Sequence, residues 1–194
     1  MQLTINETNM KIEGGKLIIN IDSNLEKILG INKVKLSEVK PGQIIKSDTG
    51  VEYIVLEHND DGGTRVLRKD YLPEQRRFDD NNNNFSTSSI RRYLNDTYYT
   101  EEIIAGFGSN NIKEHDVNLL SLDGFDDYGT CRVKVGLLTI DDYRRYHKNL
   151  LKDTLDSWWW LATPDSTPSG YGGGYVRCVC SSGGVVFGDY DYCR

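Results

Sequence analysis

The sequence shows no long apolar run, no predicted leader and no excess of positive charge. A helical membrane span needs about 20 mostly apolar residues, and no run in this chain approaches that length. The first residues, MQLTINETNMKIEGG, show no basic region followed by an apolar stretch, so no secretory signal is predicted. We therefore expect no membrane insertion and a protein made in the cytoplasm, which stays there or leaves as part of a virion.

Acidic residues outnumber basic ones, 29 to 23, and this argues against nucleic acid as a partner. The formal net charge is -6 and the pI is about 5.1. Affinity for a phosphate backbone comes mostly from Lys and Arg that neutralise phosphates. We expect no nucleic-acid partner.

The sequence also lacks the common catalytic and metal-binding motifs. It has no G-x-G-x-x-G, P-loop, G-x-S-x-G or H-E-x-x-H pattern. The three histidines, His58, His115 and His147, are not at ligand spacing, and Cys178 with Cys180 is too short a pattern for a typical zinc site. His147 follows an aromatic helix face without an obvious nucleophile, which favours a structural role. We expect no enzyme and no bound metal.

Acidic loops leave calcium open as an alternative. Asp79-Asp80, and Asp123 with Asp126-Asp127, offer carboxylate oxygens, but their spacing does not match an EF-hand. Acidic loops are usually solvated, so no cofactor is predicted.

The length of 194 residues favours one domain with an appendage. Alternating Leu3/Ile5 and Leu17/Ile19/Ile21 on either side of Gly14-Gly15 predict a β-hairpin, and SNLEKILG predicts a short helix over 23–30. A lone hairpin is marginal in water. We interpret residues 1–33 as an arm for oligomerisation, as in a trimer, or for attachment, and residues 34–194 as the main domain.

The main domain reads as α+β. The segment VEYIVLEHND-DGG-TRVLRKDYL predicts a hairpin, preceded by a strand in VKPGQII. IRRYLNDTYY, TEEIIAGF and LLTIDDYRRYHKNL predict helices, the first capped from Ser86–Ser89 and the last by Thr139. We expect a strand over Val117–Leu122, a loop over DGFDDYGTCR, and short strands in GYVRCVC and GGVVFGDYDYC.

Trp158-Trp159-Trp160 is the strongest hydrophobic signal. Successive strand residues point to opposite faces, so at least one tryptophan is expected on each face. A core anchor is favoured over a stacking platform for sugars or bases.

Residues 163–194 have an unusual composition. They contain no Lys, Glu, Gln, Met or Trp, although these types fill 30 of the other 162 positions. About six would be expected by composition alone. Every residue type present is reachable from an AAC or AAT codon by replacing only adenines, which is the footprint expected of adenine-directed mutagenesis.

At WWWLATP and the Gly/Tyr/Ser-rich stretch after it, the chain resembles an uncharacterised bacterial and phage domain with a WWLRSP motif, a variable stretch and a closing GVRPAL. The segments PGQIIKSDTGVEYIVLEH, NNFSTSSIRRYLND and LLTIDDYRRY also fit, so the resemblance covers roughly 40–194. It departs at Arg194, where the closing GVRP would begin. The resemblance implies a C-type lectin-like fold. It also implies kinship with the variable proteins of diversity-generating retroelements, which often serve as phage receptor-binding or surface-display proteins.

The first hypothesis is a non-catalytic ligand-binding protein with a diversified C-terminal surface that recognises a protein or glycan on a cell surface. Tyrosine gives large contact area at low entropy cost, as in antibody paratopes. The predicted contact residues are Tyr171, Tyr175, Arg177, Phe187, Asp189, Tyr190, Tyr192 and Arg194. Inward packing is predicted for Val176, Val179, Val185 and Val186.

Two other hypotheses stay open. One is a structural or assembly component of a virion or fibre, joined through the arm. The other is an enzyme related to the formylglycine-generating branch of lectin-like folds, which Cys178 and Cys180 motivate.

Overall fold

The computed structural model describes residues 10–13, 16–19, 35–151 and 157–192. The chain divides into two compact units, Met1–Glu38 and Val39–Arg194. Secondary structure is mixed α+β, as predicted. No helix in the described ranges is long and apolar enough to cross a bilayer.

The first unit contains an antiparallel hairpin. Strands β1 (Met10–Glu13) and β2 (Lys16–Ile19) pair with Glu13 opposite Lys16, on either side of Gly14-Gly15. The hairpin is thus confirmed at its centre. The predicted outer positions Leu3 and Ile5, and the predicted helix over 23–30, lie outside the described residues. The role of this arm in assembly stays a prediction.

In the second unit, β3 (Ile44–Lys46), β4 (Glu52–His58) and β5 (Thr64–Arg68) form an antiparallel sheet with β4 at its centre. Its β4–β5 hairpin was predicted from Asp61-Gly62-Gly63. Gly62 has φ +78°, a conformation that glycine adopts without steric cost. Four consecutive residues of β4 are buried, which explains why the sequence there is continuously apolar: Tyr53, Ile54, Val55 and Leu56.

The helical segments are short, and the first and last begin at predicted caps, whereas the middle one begins without a side-chain cap. Ser88 caps α1 (Ser89–Asn95) by accepting from the amide of Arg91 at 3.2 Å. A π-helical turn, Tyr99–Ile103, leads into α2 (Ile104–Phe107). α3 (Ile140–Tyr146) starts with a capping box, in which Thr139 and Asp142 each bond to the other's backbone amide, and it continues as a π-helical turn, His147–Leu151.

One strand was missed in the sequence. β6 (His115–Asn118) is shorter than the predicted strand Val117–Leu122 and begins two residues earlier. It pairs with β7 (Thr130–Val133), which lies mostly within the segment that the sequence predicts as a loop. β7 alternates exposed and buried residues, with Cys131 and Val133 inside. Four residues are too few for that alternation to stand out beside the turn-rich segment before them.

The third sheet has the order β10-β9-β8: β8 (Trp159–Pro164), β9 (Tyr175–Val179) and β10 (Val185–Asp189), all antiparallel neighbours. The predicted C-terminal meander is therefore present. Trp160 lies opposite Cys178, and the β8–β9 register shifts before Pro164 pairs with Val176.

The three tryptophans differ in how deeply they are buried. Trp160 is 3% exposed and its ring contacts Phe78 edge-on at 5.8 Å between centroids. Trp159 is half-buried against Tyr143, whereas Trp158 is 37% exposed. The core-anchor interpretation holds for Trp160, which helps fix the sheet that carries residues 163–192.

Candidate functional site

The β9–β10 ribbon has an outer and an inner face. Tyr175 and Arg177 alternate with the fully buried Val176, and Phe187 and Asp189 lie directly opposite them on β10. Because side chains alternate along a strand, these four residues share one face. The ribbon therefore presents one face to the core and the other outward.

Four aromatic side chains are exposed in residues 163–192, and we call them the aromatic surface: Tyr171, Tyr175, Phe187 and Tyr192. Their exposed fractions are 97%, 45%, 57% and 55% in that order. The rings of Tyr175 and Phe187 meet edge-on at 5.1 Å. Large apolar groups usually leave water on folding, so a group of exposed aromatics is a typical recognition surface.

The other predicted contact residues lie in different settings. Arg177 is half-buried and forms an ion pair with Asp165 at 2.8 Å, and it also donates to the Val185 carbonyl. Asp189 is half-buried on the outer face of the ribbon. Tyr190 is partly buried against the main core. Arg194 lies outside the described residues.

The predicted inward valines are mostly confirmed. Val176 and Val179 are buried, and Val185 and Val186 are half-buried. Val179 and Val185 lie on the outer face, but a second core cluster that includes Ile54 and Tyr143 covers that end of the ribbon. The outer face is therefore covered by the second core cluster near the β9–β10 turn and exposed to solvent near Tyr175 and Phe187.

Asn83, which sequence reasoning missed, holds the loop between β8 and β9. Its buried side-chain amide donates to the carbonyls of Ser166 (2.8 Å) and Tyr175 (2.7 Å). Its backbone amide donates to the Gly173 carbonyl at 3.1 Å, and its side-chain oxygen accepts from the Tyr128 hydroxyl. Both ends of the loop are thus fixed through backbone atoms, which every residue type supplies.

Further contacts from outside the segment also reach its backbone. The amides of Phe78 and Asp79 both donate to the Tyr190 carbonyl at 3.0 Å. The Tyr143 hydroxyl donates to the Gly183 carbonyl at 2.7 Å, in the β9–β10 turn. The acceptors are backbone oxygens, but the position at 183 favours glycine, because its φ is +80° and a Cβ there would lie 3.2 Å from the His147 ring.

A second loop, residues 121–128, lies beside the first. Its Leu122 amide donates to the Pro164 carbonyl at 3.0 Å, and Asp127 accepts from the Ser169 amide at 2.9 Å. A Cβ added at Gly170 would lie 2.8 Å from the Phe125 ring. The exposed Phe125 therefore continues the surface around Tyr171 into a part of the chain that the composition did not mark.

Two glycines of the β8–β9 loop differ in the space around them, which leads to a paired prediction. A methyl group at Gly170 would lie 2.3 Å from the Ser166 hydroxyl, whereas Gly174 has nothing within 4 Å and no positive φ. We expect Gly170→Ala to lower the free energy of unfolding by about 1–3 kcal/mol through overpacking. Gly174→Ala should be neutral or slightly stabilising. Urea unfolding of both variants tests this, and equal effects would contradict the described loop packing.

Cys178 and Cys180 lie in different environments. Cys178 is fully buried in the main core, while Cys180 is half-buried in the turn, with its sulfur 3.1 Å from the Ser182 hydroxyl. His147 stacks on Tyr143 at 4.5 Å between ring centroids, in keeping with a structural histidine. The enzyme alternative stays a prediction.

The carboxylates considered for calcium accept hydrogen bonds from the protein. Asp79 accepts from the backbone amides of Asn81, Asn82 and Ser89, and Asp123 accepts from the Ser121 hydroxyl. In the part of the chain that the structure describes, no three His, Cys, Asp or Glu residues are grouped so as to hold a metal ion.

Comparison with known proteins adds no relative: no family model, no curated protein and no solved structure matches this chain.

Proposed function

We propose that this protein is a non-catalytic ligand-binding protein of C-type lectin-like fold, and that residues 163–194 form its diversified recognition surface. A phage receptor-binding or surface-adhesion role fits this activity best. The observation that carries the proposal is a coincidence of two features. The segment whose composition fits adenine-directed change is also the segment that carries the aromatic surface and is held through its backbone.

Backbone anchoring supports this proposal on energetic grounds. Most substitutions in a packed core destabilise a protein, so a diversified surface requires a fold whose stability lies elsewhere. Here the main core includes buried residues from β4, α1, β6 and β8, together with Val176 and Cys178 of the segment itself, so tolerance to change is expected only at the exposed positions of the segment. The bonds from Asn83 reach carbonyl oxygens of Ser166 and Tyr175, which remain after a side-chain change at either residue.

The residue types on the surface also support it. Tyrosine and phenylalanine bury large areas with few rotatable bonds, while glycine and serine adapt to the partner. Tyr171 and Tyr192 are more than half exposed, so a partner would remove much apolar area from water.

A combined substitution tests the separation of binding from stability. Replacing Tyr171, Phe187 and Tyr192 with alanine should lower the free energy of unfolding by no more than about 2 kcal/mol, mostly from the lost Tyr175–Phe187 contact. Circular dichroism and urea unfolding measure this. A variant that fails to fold would overturn the proposal, because its surface residues would then be part of the core.

The diversification itself is tested at the gene. We expect the locus to carry a near-identical repeat that differs from the codons of 163–194 only at adenines, together with a reverse-transcriptase gene. Sequencing of the surrounding DNA decides this. If neither is found, diversification is wrong, while ligand binding would still be tested by the substitutions above.

A further inference from the structure

The surroundings of the aromatic surface are strongly acidic. Residues 119–129 and 163–192 together contain six aspartates and one basic residue, Arg177. The Arg177 guanidinium lies 2.8 Å from Asp165, so its charge is already compensated. The two segments contain no second basic residue to compensate the five other aspartates: Asp123, Asp126, Asp127, Asp189 and Asp191.

These carboxylates lie on the same elements as the aromatic rings. Asp189 is on the ribbon face of Tyr175 and Phe187, and Asp191 is the chain neighbour of Tyr192. Asp127 bonds to Ser169, close in sequence to Tyr171. A Cβ at Gly170 would lie 2.9 Å from an oxygen of Asp123. Rings and carboxylates thus lie on the same two neighbouring loops and on the ribbon.

Local hydrogen bonds favour the ionised form of two of these carboxylates, Asp123 and Asp127. The Ser121 hydroxyl lowers the pKa of Asp123, and the Ser169 backbone amide lowers the pKa of Asp127. Both groups are exposed, and neither would be protonated near neutral pH.

We infer that the ligand of this surface is a protein face that presents Lys and Arg side chains. This inference rests on the proposed function. Cationic side chains would be stabilised here by two interactions. They would form ion pairs with the aspartates, and their charge would be attracted to the faces of the exposed Tyr and Phe rings. A neutral glycan can donate hydroxyl hydrogen bonds to the carboxylates but brings no charge to neutralise them, and an acidic glycan is repelled by them. A protein is therefore favoured over a sugar.

The test uses an unbiased probe. A library of one small carrier domain with a randomised face is selected for binding to the intact chain, at about 0.15 M salt. We expect selected faces to be enriched in Lys and Arg over the unselected library. Their binding should be lost with the variant that replaces Tyr171, Phe187 and Tyr192 by alanine.

The outcomes separate this inference from the proposed function. If the selected faces bind the aromatic surface without Lys or Arg enrichment, the inference is wrong and the proposed function survives. If binding does not depend on the three aromatic residues, both fail. A synthetic glycan panel run in parallel gives a further check: aromatic-dependent binding of a glycan, with no carrier selected at this surface, would overturn the choice of a protein.

Two matched charge variants test whether the aspartates near the aromatic surface are the ones that bind the carrier. Neutralising Asp126, Asp189 and Asp191 with asparagine should weaken binding of a selected carrier about tenfold, since exposed pairs contribute about 0.2–1 kcal/mol each. The control neutralises the same number of exposed charges on other elements, Asp60→Asn, Asp70→Asn and Glu101→Gln, and should change affinity by less than about twofold. Equal losses in both variants would mean that only net charge matters and would refute a localised basic epitope.

Discussion

Replacing Asn83 by alanine should lower the free energy of unfolding by about 3–4 kcal/mol, the largest effect expected from a single polar side chain in this protein. Asn83 is fully buried and its amide bonds to two carbonyls on opposite ends of the β8–β9 loop. Alanine would remove the Asn83 partner of the Ser166 carbonyl and of the Tyr128 hydroxyl, while the Tyr175 carbonyl would keep its bond from the Asp165 amide. Unsatisfied buried groups each cost about 1–3 kcal/mol.

Urea unfolding monitored by tryptophan fluorescence measures this effect. The matched control is Asn81→Ala, a neighbouring asparagine that is exposed, and it should change stability by less than about 0.5 kcal/mol. Asn83→Asp provides a second variant of nearly the same shape that cannot donate to either carbonyl. A near-wild-type stability for both Asn83 variants would show that the loop is not held by this amide.

Replacing Trp160 by alanine should cost about 3–5 kcal/mol. This side chain is 3% exposed, contacts Phe78 edge-on and donates from its indole nitrogen to the Arg76 carbonyl at 3.1 Å. The substitution leaves a large cavity beside β9 and removes that hydrogen bond. The loss should appear as a lower urea midpoint with an unchanged slope.

Trp158→Ala is the matched control, because it removes the same side chain from a position that is 37% exposed. Its cost should stay near 1 kcal/mol. Similar losses at both positions would mean that Trp158 is buried as deeply as Trp160, against their exposed fractions of 37% and 3%.

The sequence predicted those elements whose signals are local. The β4–β5 hairpin has a glycine turn between two apolar runs, and α3 begins at a capping box that can be read from Thr139 and Asp142. Such features depend on residues a few positions apart. The inward placement of Val176 also followed from alternation alone.

The sequence did not predict features that depend on distant contacts. Asn83 stands in a run of four asparagines, and nothing in DDNNNN distinguishes the one that becomes buried. Its partners Ser166 and Tyr175 are 83 and 92 positions away. Arg177 is a similar case, because its pairing with Asp165 arises only when β8 and β9 become neighbours. The role of Phe125 likewise required the packing of two loops.

The β9–β10 ribbon is tied at both extremities, by Tyr143 at its turn and by Phe78 and Asp79 near its end. A partner of the kind proposed would therefore meet a backbone that the rest of the protein already holds in place. Ordering a mobile side chain or loop on association costs about 0.5–1.5 kcal/mol for each group immobilised. With little of that entropy left to lose, even a modest contact area can give measurable affinity, and different sets of side chains can share the same rigid support.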